Sequence, residues 1–372
     1  MKICYITHWA NLTGANQSLL DILSGINRQE IEPFVLLPTS GPLEKELESR
    51  NVPYQIIDYP REQAVKKPIV KAGKCVRKVL AEIRFRNVFR KQHFDIIHNN
   101  TFLTSIGMEA AFKAGIPYIS HNREILRLRQ KKEYMWHKRR FFLLKKANVA
   151  ITISNYVKEE LAKDEPSANY RTLWDGIKID RYYQEHAELL KGPSINLLLV
   201  GMTPVKRHME AIRAMELLHE KGFTNCSLII AGCTGENTYE MQLRNKVQDR
   251  NSPGITFQKF TDLRTMRSKS DIVVMCSIEE GLGRATIEGQ LAGCLVIGAA
   301  AGATLELIKD METGLLYKAG NPEVLADRIV YAIEHTEEMN RIAKAGQEAA
   351  KNRFALPQYI DELTQLYREI LK

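Results

Sequence analysis

Thirteen short runs of apolar, strand-forming residues, separated by amphipathic stretches, constrain the fold of this chain more than any other feature. Seven fall in the first half, at 2–8, 33–38, 54–59, 95–99, 117–120, 148–154 and 171–174. Six fall in the second, at 196–200, 227–231, 255–257, 272–276, 295–298 and 314–317. Some, such as Leu197-Leu198-Leu199-Val200, are continuously apolar, the pattern of a strand covered on both faces. Helical stretches such as 17–26 and 42–50 lie between them. Alternation at this spacing means parallel sheets, and parallel sheets bind ligands beyond the carboxyl ends of their strands. The rhythm breaks across 182–193, a polar segment ending Lys191-Gly192-Pro193. A chain of 372 residues is long enough for two cores. The expected organisation is therefore an α/β domain over 1–183, a second over 194–354, and a terminal helix over 355–372. Asn321 followed by Pro322, an N-cap and a first-turn residue, opens the helical tail.

The segment 271–289 reads as a buried strand, a glycine-broken loop and a helix opening near Arg284. A helix start offers unpaired N–H groups and a partial positive charge, which suit a phosphate. Gly281 and Gly283 let the backbone approach a ligand because neither carries a Cβ. Glu280 and Glu288 flank that helix start and, being anionic, suit neighbouring hydroxyls rather than the phosphate. Phosphate in the middle with hydroxyls on both sides describes a nucleotide sugar. Two glutamates at this spacing also arise by chance, and the same pieces fit any βα junction, so the segments that follow matter: Leu291-Ala-Gly-Cys-Leu-Val-Ile-Gly298, Gly302-Ala-Thr-Leu-Glu306 and Thr313-Gly-Leu-Leu-Tyr317.

With these in place the sequence resembles the retaining glycosyltransferase family 4, whose E-x7-E motif sits in the same strand–loop–helix setting. Leu282, Gly289 and Leu295 depart from the family's usual aromatic, Ala and Pro. The resemblance implies two Rossmann-like domains facing across a cleft (the GT-B fold), with a C-terminal helix crossing back to the first domain. It also implies a retaining transfer in which Glu280 holds donor-sugar hydroxyls, Glu288 the ribose, and Gly281, Leu282 and Gly283 the sugar–phosphate junction, with Thr286 among the donor-binding residues.

Leu198-Leu-Val-Gly-Met-Thr-Pro-Val-Lys-Arg-His208 is a strand, a turn and a helix start bearing two cations. A departing diphosphate needs positive charge, and Lys206 or Arg207 at a strand's carboxyl end can supply it in place of a metal ion. Lys206 matches the family's lysine; Met202 stands where the family carries an arginine, with Arg207 as the candidate substitute. In the first half, Thr13-Gly14-Ala-Asn16 follows the first strand, and Gly14 is a candidate for approach to the donor. His121 follows Ile116-Pro-Tyr-Ile-Ser120, matching the family segment that places a histidine against the donor sugar; His98 reads as a satisfied polar residue, and Trp174-Asp175-Gly176 as a structural turn. The candidate catalytic set is Glu280, Lys206 and His121. No nucleophile–base pair of the kind double displacement requires is evident.

No apolar run approaches the ~20 residues of a membrane-spanning helix. Met1 leads straight into a strand pattern without a secretory signal. Six cysteines show neither C-x-x-C nor zinc spacing, and four (Cys4, Cys226, Cys276, Cys294) lie in or beside strand patterns as small buried hydrophobes. A cytoplasmic protein without metal or cofactor is expected. The net charge of +9 is concentrated. Residues 61–93 carry eleven lysines and arginines against Glu62 and Glu82, and residues 123–146 carry ten against Glu124 and Glu133. No RNA-recognition signature, zinc module or interleaved aromatic platform accompanies them, which excludes nucleic acid as the expected partner. An anionic membrane surface, met through 61–91 and 127–146, fits better, because Val76, Val79, Leu80 and Ile83 share a helical face among cations. The alternative is a solvated basic face over an ordinary core stripe. The remaining expected partners are a nucleotide-sugar donor and a glycan or lipid-linked acceptor in polysaccharide or glycoconjugate synthesis. A nucleotide-sugar epimerase and a non-catalytic sugar-nucleotide-binding subunit are the rival readings.

Overall fold

The computed structural model describes residues 1–12, 14–125, 134–185, 188–235, 237–259 and 263–372. Thirteen strands are present among them, one for each apolar run. The chain divides into two compact units, Met1–Ile177 with Leu356–Lys372, and Lys178–Ala355.

The first unit holds β1 (Lys2–Ile6), β2 (Glu32–Leu37), β3 (Tyr54–Ile56), β4 (Ile96–Asn99), β5 (Tyr118–Asn122), β6 (Val149–Thr152) and β7 (Tyr170–Thr172). They form one sheet in the order β3-β2-β1-β4-β5-β6-β7, parallel throughout. The second unit holds β8 (Ile195–Val200), β9 (Cys226–Cys233), β10 (Ile255–Lys259), β11 (Ile272–Met275), β12 (Leu295–Ala299) and β13 (Leu315–Tyr317), in the order β10-β9-β8-β11-β12-β13. This sheet is also parallel. Central strands such as β4, β5, β11 and β12 are buried at every position, which is why their sequences lack the polar alternation of a half-exposed strand. The larger overruns of the expected strands are at carboxyl ends, β1 stopping at Ile6 and the edge strand β3 at Ile56.

The terminal helix Leu356–Leu371 packs on the first unit, as expected. Leu356, Tyr359, Ile360, Leu363, Leu366 and Tyr367 join Leu19, Leu20 and Leu23 of the helix Gly14–Gly25 in its core. A fully buried leucine contributes about 1.5–3 kcal/mol, so this helix is a structural part of the unit. Gly25 marks the closest approach: a Cβ there would sit 2.7 Å from Ile360 Cγ1. The second unit begins earlier than the polar break suggested. The short helix Ile179–Tyr182 belongs to it, because Tyr182 is buried under the Arg267 guanidinium, 5.5 Å from the ring centre, and the Gln184 amide donates to Leu291 O.

No helix among the described residues is long and apolar enough to cross a membrane. Cys4, Cys226, Cys276 and Cys294 are buried free thiols.

The second basic block needs correcting. Residues 126–133 lie outside the described residues, and the block's other arginines are engaged inside the unit. Arg123 pairs with Asp175, Arg139 with Glu109 at 2.8 Å, and Arg140 with Glu62 at 2.7 Å. Lys138, Lys145 and Lys146 remain exposed. Charge counting treats every arginine as solvated, and here Arg123 and Arg140 serve as buried counter-ions while Arg139 is paired but partly exposed.

Candidate functional site

In the second sheet the chain leaves β8 toward β9 on one side and returns to β11 on the other, so the order reverses between β8 and β11. Crossover helices diverge at such a point and leave a crevice beyond the strand ends. Both of the strongest sequence candidates emerge there.

After β8 the chain turns at Gly201 (φ +101°), makes one helical turn over Pro204–Lys206, passes Arg207 (φ +52°) and enters the helix His208–Glu220. The Lys206 stem lies across Gly201: a Cβ there would be 3.2 Å from Lys206 Cε. Lys206 Nζ donates to Glu280 Oε2 at 2.9 Å, with side chains 17% and 19% exposed. The pair is thus close and open to solvent. His208 was not expected to matter. Its Nε2 lies 2.8 Å from Gly201 O, which can only accept, so Nε2 carries the proton and Nδ1 accepts from Tyr239 Oη at 3.0 Å. Burial lowers its pKa to about 4, the Gly201 carbonyl opposes that shift and the Lys206 charge adds to it, so the ring stays neutral and pins the turn beneath Lys206. Arg207 is tied through Nε to Glu210 Oε2 at 2.7 Å, and Glu210 also accepts from Tyr317 Oη and Gly320 N. Met202 is buried in the second unit's core, so its position presents no charge to a ligand.

After β11 the loop 276–283 is backed by the turn following β12. Gly302 (φ +58°) packs on the Glu280 backbone, where a Cβ would lie 3.1 Å from Glu280 N, and Ala303 N donates to Glu280 O at 3.1 Å. This explains the Gly302–Glu306 segment as the support that fixes Glu280. Gly283 (φ +88°) then caps the helix Arg284–Leu291, opening where expected. Leu282 is buried, and Thr286 Oγ1 is fully buried with no hydrogen-bond partner among the described residues. Glu288 is already held: Oε2 by the fully buried Arg267 and Oε1 by Arg284 Nε at 3.4 Å. A ribose would have to share this carboxylate with two arginines.

In the first unit, Thr13 lies outside the described residues. Gly14 opens its helix in free space, with no atom within 4 Å of a Cβ built on it, so no close packing requires glycine there. His121 is fully buried in β5. Its Nδ1 meets His98 Nε2 at 3.0 Å, and His98 Nδ1 meets Tyr367 Oη at 2.7 Å. Burial, then the charge of Arg123, holds His121 well below the usual imidazole range, so it is neutral. Arg123 Nη2 lies 3.3 Å from the same Nδ1, while the buried Nε2 has no hydrogen-bond partner among the described residues, its nearest acceptor being Asp175 Oδ1 at 3.7 Å. Asp175 accepts from Arg123 and from Ser18 Oγ at 2.8 Å. Gly176 packs on the terminal helix, a Cβ there falling 2.6 Å from Tyr359 Cβ, so the Asp175–Gly176 turn is structural. Glu124, the acidic residue of the same His121–Glu124 segment, accepts from Thr101 Oγ1 and Phe102 N, and sequence reading passed over the cluster of Glu62, Lys78, Ser105 and Arg140. Beyond the end of β1 lies a cavity of about 330 Å³ lined by Trp9, Asn11, Thr39, Arg61, Lys74 and Arg77 among others.

Among the described residues no group of three or more His, Cys, Asp or Glu side chains is gathered as a metal ion would need.

Two family descriptions match successive parts of the chain: Glycosyltransferase Family 4 over residues 12–181 and Glycosyl transferases group 1 over 184–349. An uncharacterized glycosyltransferase of Methanocaldococcus jannaschii is 24% identical over 262 residues, covering 64% of this chain and 66% of that protein, so the chain spans just under two thirds of that relative's length. An Escherichia coli UDP-Gal:alpha-D-GlcNAc-diphosphoundecaprenol alpha-1,3-galactosyltransferase is 21% identical over 388 residues, 96% of this chain and 97% of that one. The crystal structure of Anabaena HepE in complex with UDP-glucose superposes with a TM-score of 0.82 at 20% identity, covering 99% of this chain and 100% of that one, and has the same two-unit GT-B fold.

Proposed function

The chain belongs to the glycosyltransferases of these two descriptions, and on that premise we propose that it moves a sugar from a nucleoside-diphosphate sugar to a hydroxyl of a glycan or lipid-linked acceptor, with retention of configuration and without a metal ion. The observation that carries this reading is the Lys206–Glu280 pair at the β8/β11 reversal of the second sheet, beside the helix start at Gly283. A donor seated there sets its diphosphate against the turn after β8 and the amino end of the helix Arg284–Leu291, and its sugar against Glu280. Glu280 exchanges its bond with Lys206 for sugar hydroxyls. Lys206 then faces the phosphate, where its charge matters most as the diphosphate leaves. Arg207, anchored through Nε, turns its remaining N–H groups to the same group, which gives the leaving charge two cations without a metal. The loop Gly281-Leu282-Gly283 walls the sugar–phosphate junction, and the unpartnered Thr286 hydroxyl donates to a phosphate oxygen. Glu288 reaches the ribose by sharing its bonds with Arg267 and Arg284.

In the transfer, the anomeric carbon–phosphate oxygen bond breaks as the acceptor oxygen bonds to the same face of the sugar. The acceptor proton passes to the departing phosphate oxygen, which remains on that face and so preserves configuration. Neither step needs a protein nucleophile. The first unit takes the acceptor, and the cations Arg61, Lys74 and Arg77 around its cavity suit an acceptor that carries phosphate. The similarity to an enzyme acting on a diphosphoundecaprenol-linked sugar supports a lipid-linked acceptor in polysaccharide or glycoconjugate assembly. HepE with UDP-glucose makes that nucleotide sugar the first probe.

Thermal stabilisation by a panel of nucleotide sugars tests donor binding. At a hundredfold excess over Kd a true donor adds about 2.7 kcal/mol, or about 5–10 °C for a domain of this size. NMR of the product with EDTA present then follows the chemistry. Retention of anomeric configuration in a glycosylated product is expected. Release of an epimerised nucleotide sugar would indicate the epimerase, stabilisation without turnover the non-catalytic subunit, and strict dependence on Mg²⁺ or Mn²⁺ would overturn the metal-free reading.

A further inference from the structure

The helix Pro68–Gln92 of the first unit is apolar on two opposite sides. One side packs inward through Ala81, Phe85, Val88 and Phe89. The other carries Ile69, Val76, Leu80 and Ile83, spaced seven, four and three residues apart, so that they form one stripe along the helix. This stripe faces solvent: the four are 87, 59, 47 and 49% exposed, and Val79 beside them 57%. The core therefore does not account for it, and the reading of an ordinary core stripe beneath solvated charges fails here. Exposed cations flank the stripe, Arg84 and Lys91 on one side and Arg90 on the other, with Arg77 further round; Lys71 is exposed near the helix start. Arg77 pairs with Asp58, and Lys113 occupies Glu82. Lys71, Arg84, Arg90 and Lys91 have no acidic partner among the described residues, and neither do Lys66 and Lys67 just ahead of the helix.

A contiguous exposed apolar patch rimmed by charge marks an interaction surface. A second copy of the chain, docked by twofold symmetry, would set the same cations against each other. Nucleic acid would match the cations and leave the aliphatic stripe unmatched, since it stacks on aromatic rings. An anionic bilayer matches both features. We propose that this face of the helix lies in the plane of an anionic phospholipid membrane, with Ile69, Val76, Val79, Leu80 and Ile83 entering the boundary between headgroups and acyl chains and the flanking cations meeting lipid phosphates. The surface lies outside the β8/β11 crevice and does not depend on what that crevice does.

The test is co-sedimentation of the full chain with vesicles of phosphatidylcholine alone or with one third phosphatidylglycerol. Binding to the anionic vesicles only, weakening as salt shortens the Debye length below about 8 Å, is expected. A combined Val76→Ser, Leu80→Ser, Ile83→Ser variant and a combined Lys71→Gln, Arg84→Gln, Arg90→Gln, Lys91→Gln variant should each lower partitioning about tenfold or more. All substituted side chains are solvent-facing, and an unchanged denaturation midpoint confirms an intact fold. Equal partitioning to neutral vesicles, no binding at all, or undiminished binding by the aliphatic variant would overturn the proposal. So would a concentration-dependent dimer that the aliphatic variant abolishes, which would give the face to a second copy. Stabilisation by UDP-glucose, measured in parallel, reports the donor site alone, so either proposal can fall without the other.

Discussion

At the strand ends of the first sheet, His98, His121, Arg123 and Asp175 are all buried and bonded to one another or to neighbouring side chains. At the β8/β11 reversal of the second, Lys206 and Glu280 hold one mutual bond and are each about a fifth exposed. The two sheets follow one plan of parallel strands with a single reversal, yet one end is filled by its own side chains and the other is left with a cation and a carboxylate that have capacity to spare. A buried ion cannot give up a partner cheaply. A partly exposed pair can exchange partners, since water already screens it. The difference separates a polar network that holds a fold from one available to a ligand.

The sharpest way to break this contrast is Glu62→Ala in the first unit. Arg140 is 1% exposed, and Lys78 and Ser105 converge on the same carboxylate. Burial alone would raise the Glu62 pKa, but Arg140 and Lys78 hold it below the usual carboxylate range. Removing it strands a buried guanidinium and should cost about 3–5 kcal/mol. All three tryptophans, Trp9, Trp136 and Trp174, lie in the first unit, so tryptophan fluorescence during urea unfolding reads this unit alone. Lys206→Ala should do the reverse. We expect kcat to fall about 10²–10³-fold, a smaller change in UDP affinity, and stability within about 0.5 kcal/mol of wild type; stability loss without kinetic loss would place Lys206 among the structural ions. Glu288→Gln is the intermediate case, because Glu288 neutralises buried Arg267 within the second unit. Losing a hydrogen bond to a charged partner should cost about 1.5–3 kcal/mol, seen in far-UV circular dichroism but not in tryptophan fluorescence, together with weaker nucleotide binding by calorimetry.

The effect spread over the widest range of conditions is acid sensitivity. Burial is the main cause of low imidazole pKa values at His8 (about 4), His98 (about 3) and His208 (about 4), against 6.5 for a free imidazole. The folded state therefore holds fewer protons than the unfolded one from about pH 6.5 downward, and stability is full above that and lost as pH falls toward 4. Each group contributes at most about 1.4 kcal/mol per pH unit. His8, His98 and His121 lie in the first unit and His208 in the second, so the fluorescence-detected transition should shift more than the dichroism-detected one. Equal shifts would mean that the first unit's buried network is not the acid-sensitive element.

The strands were legible because two-sided burial writes itself as apolar runs, and the E-x7-E segment because a strand, two glycines and a helix start are local features. Pairing was not. Lys206 and Glu280 are 74 positions apart and meet because β8 and β11 are neighbours in the sheet. Arg140 and Glu62 are 78 apart, and nothing in the charge count separates them from solvated ions. His208 stood beside the two cations in the sequence, but its role depends on the φ of Gly201, which residue spacing does not encode.

The terminal helix Leu356–Leu371 carries a consequence for the order of assembly. Tyr367 meets Tyr5 across 362 positions and His98 across 269. The ribosome delivers this helix only after the whole of 178–355, so the second unit has every residue it needs to fold before the first has its last one. Until then the first unit's core waits without Leu356, Tyr359, Ile360, Leu363, Leu366 and Tyr367. The intervening length adds little closure entropy, but it prolongs the time an open apolar surface is available to aggregation. The part of the molecule made first is the part sealed last.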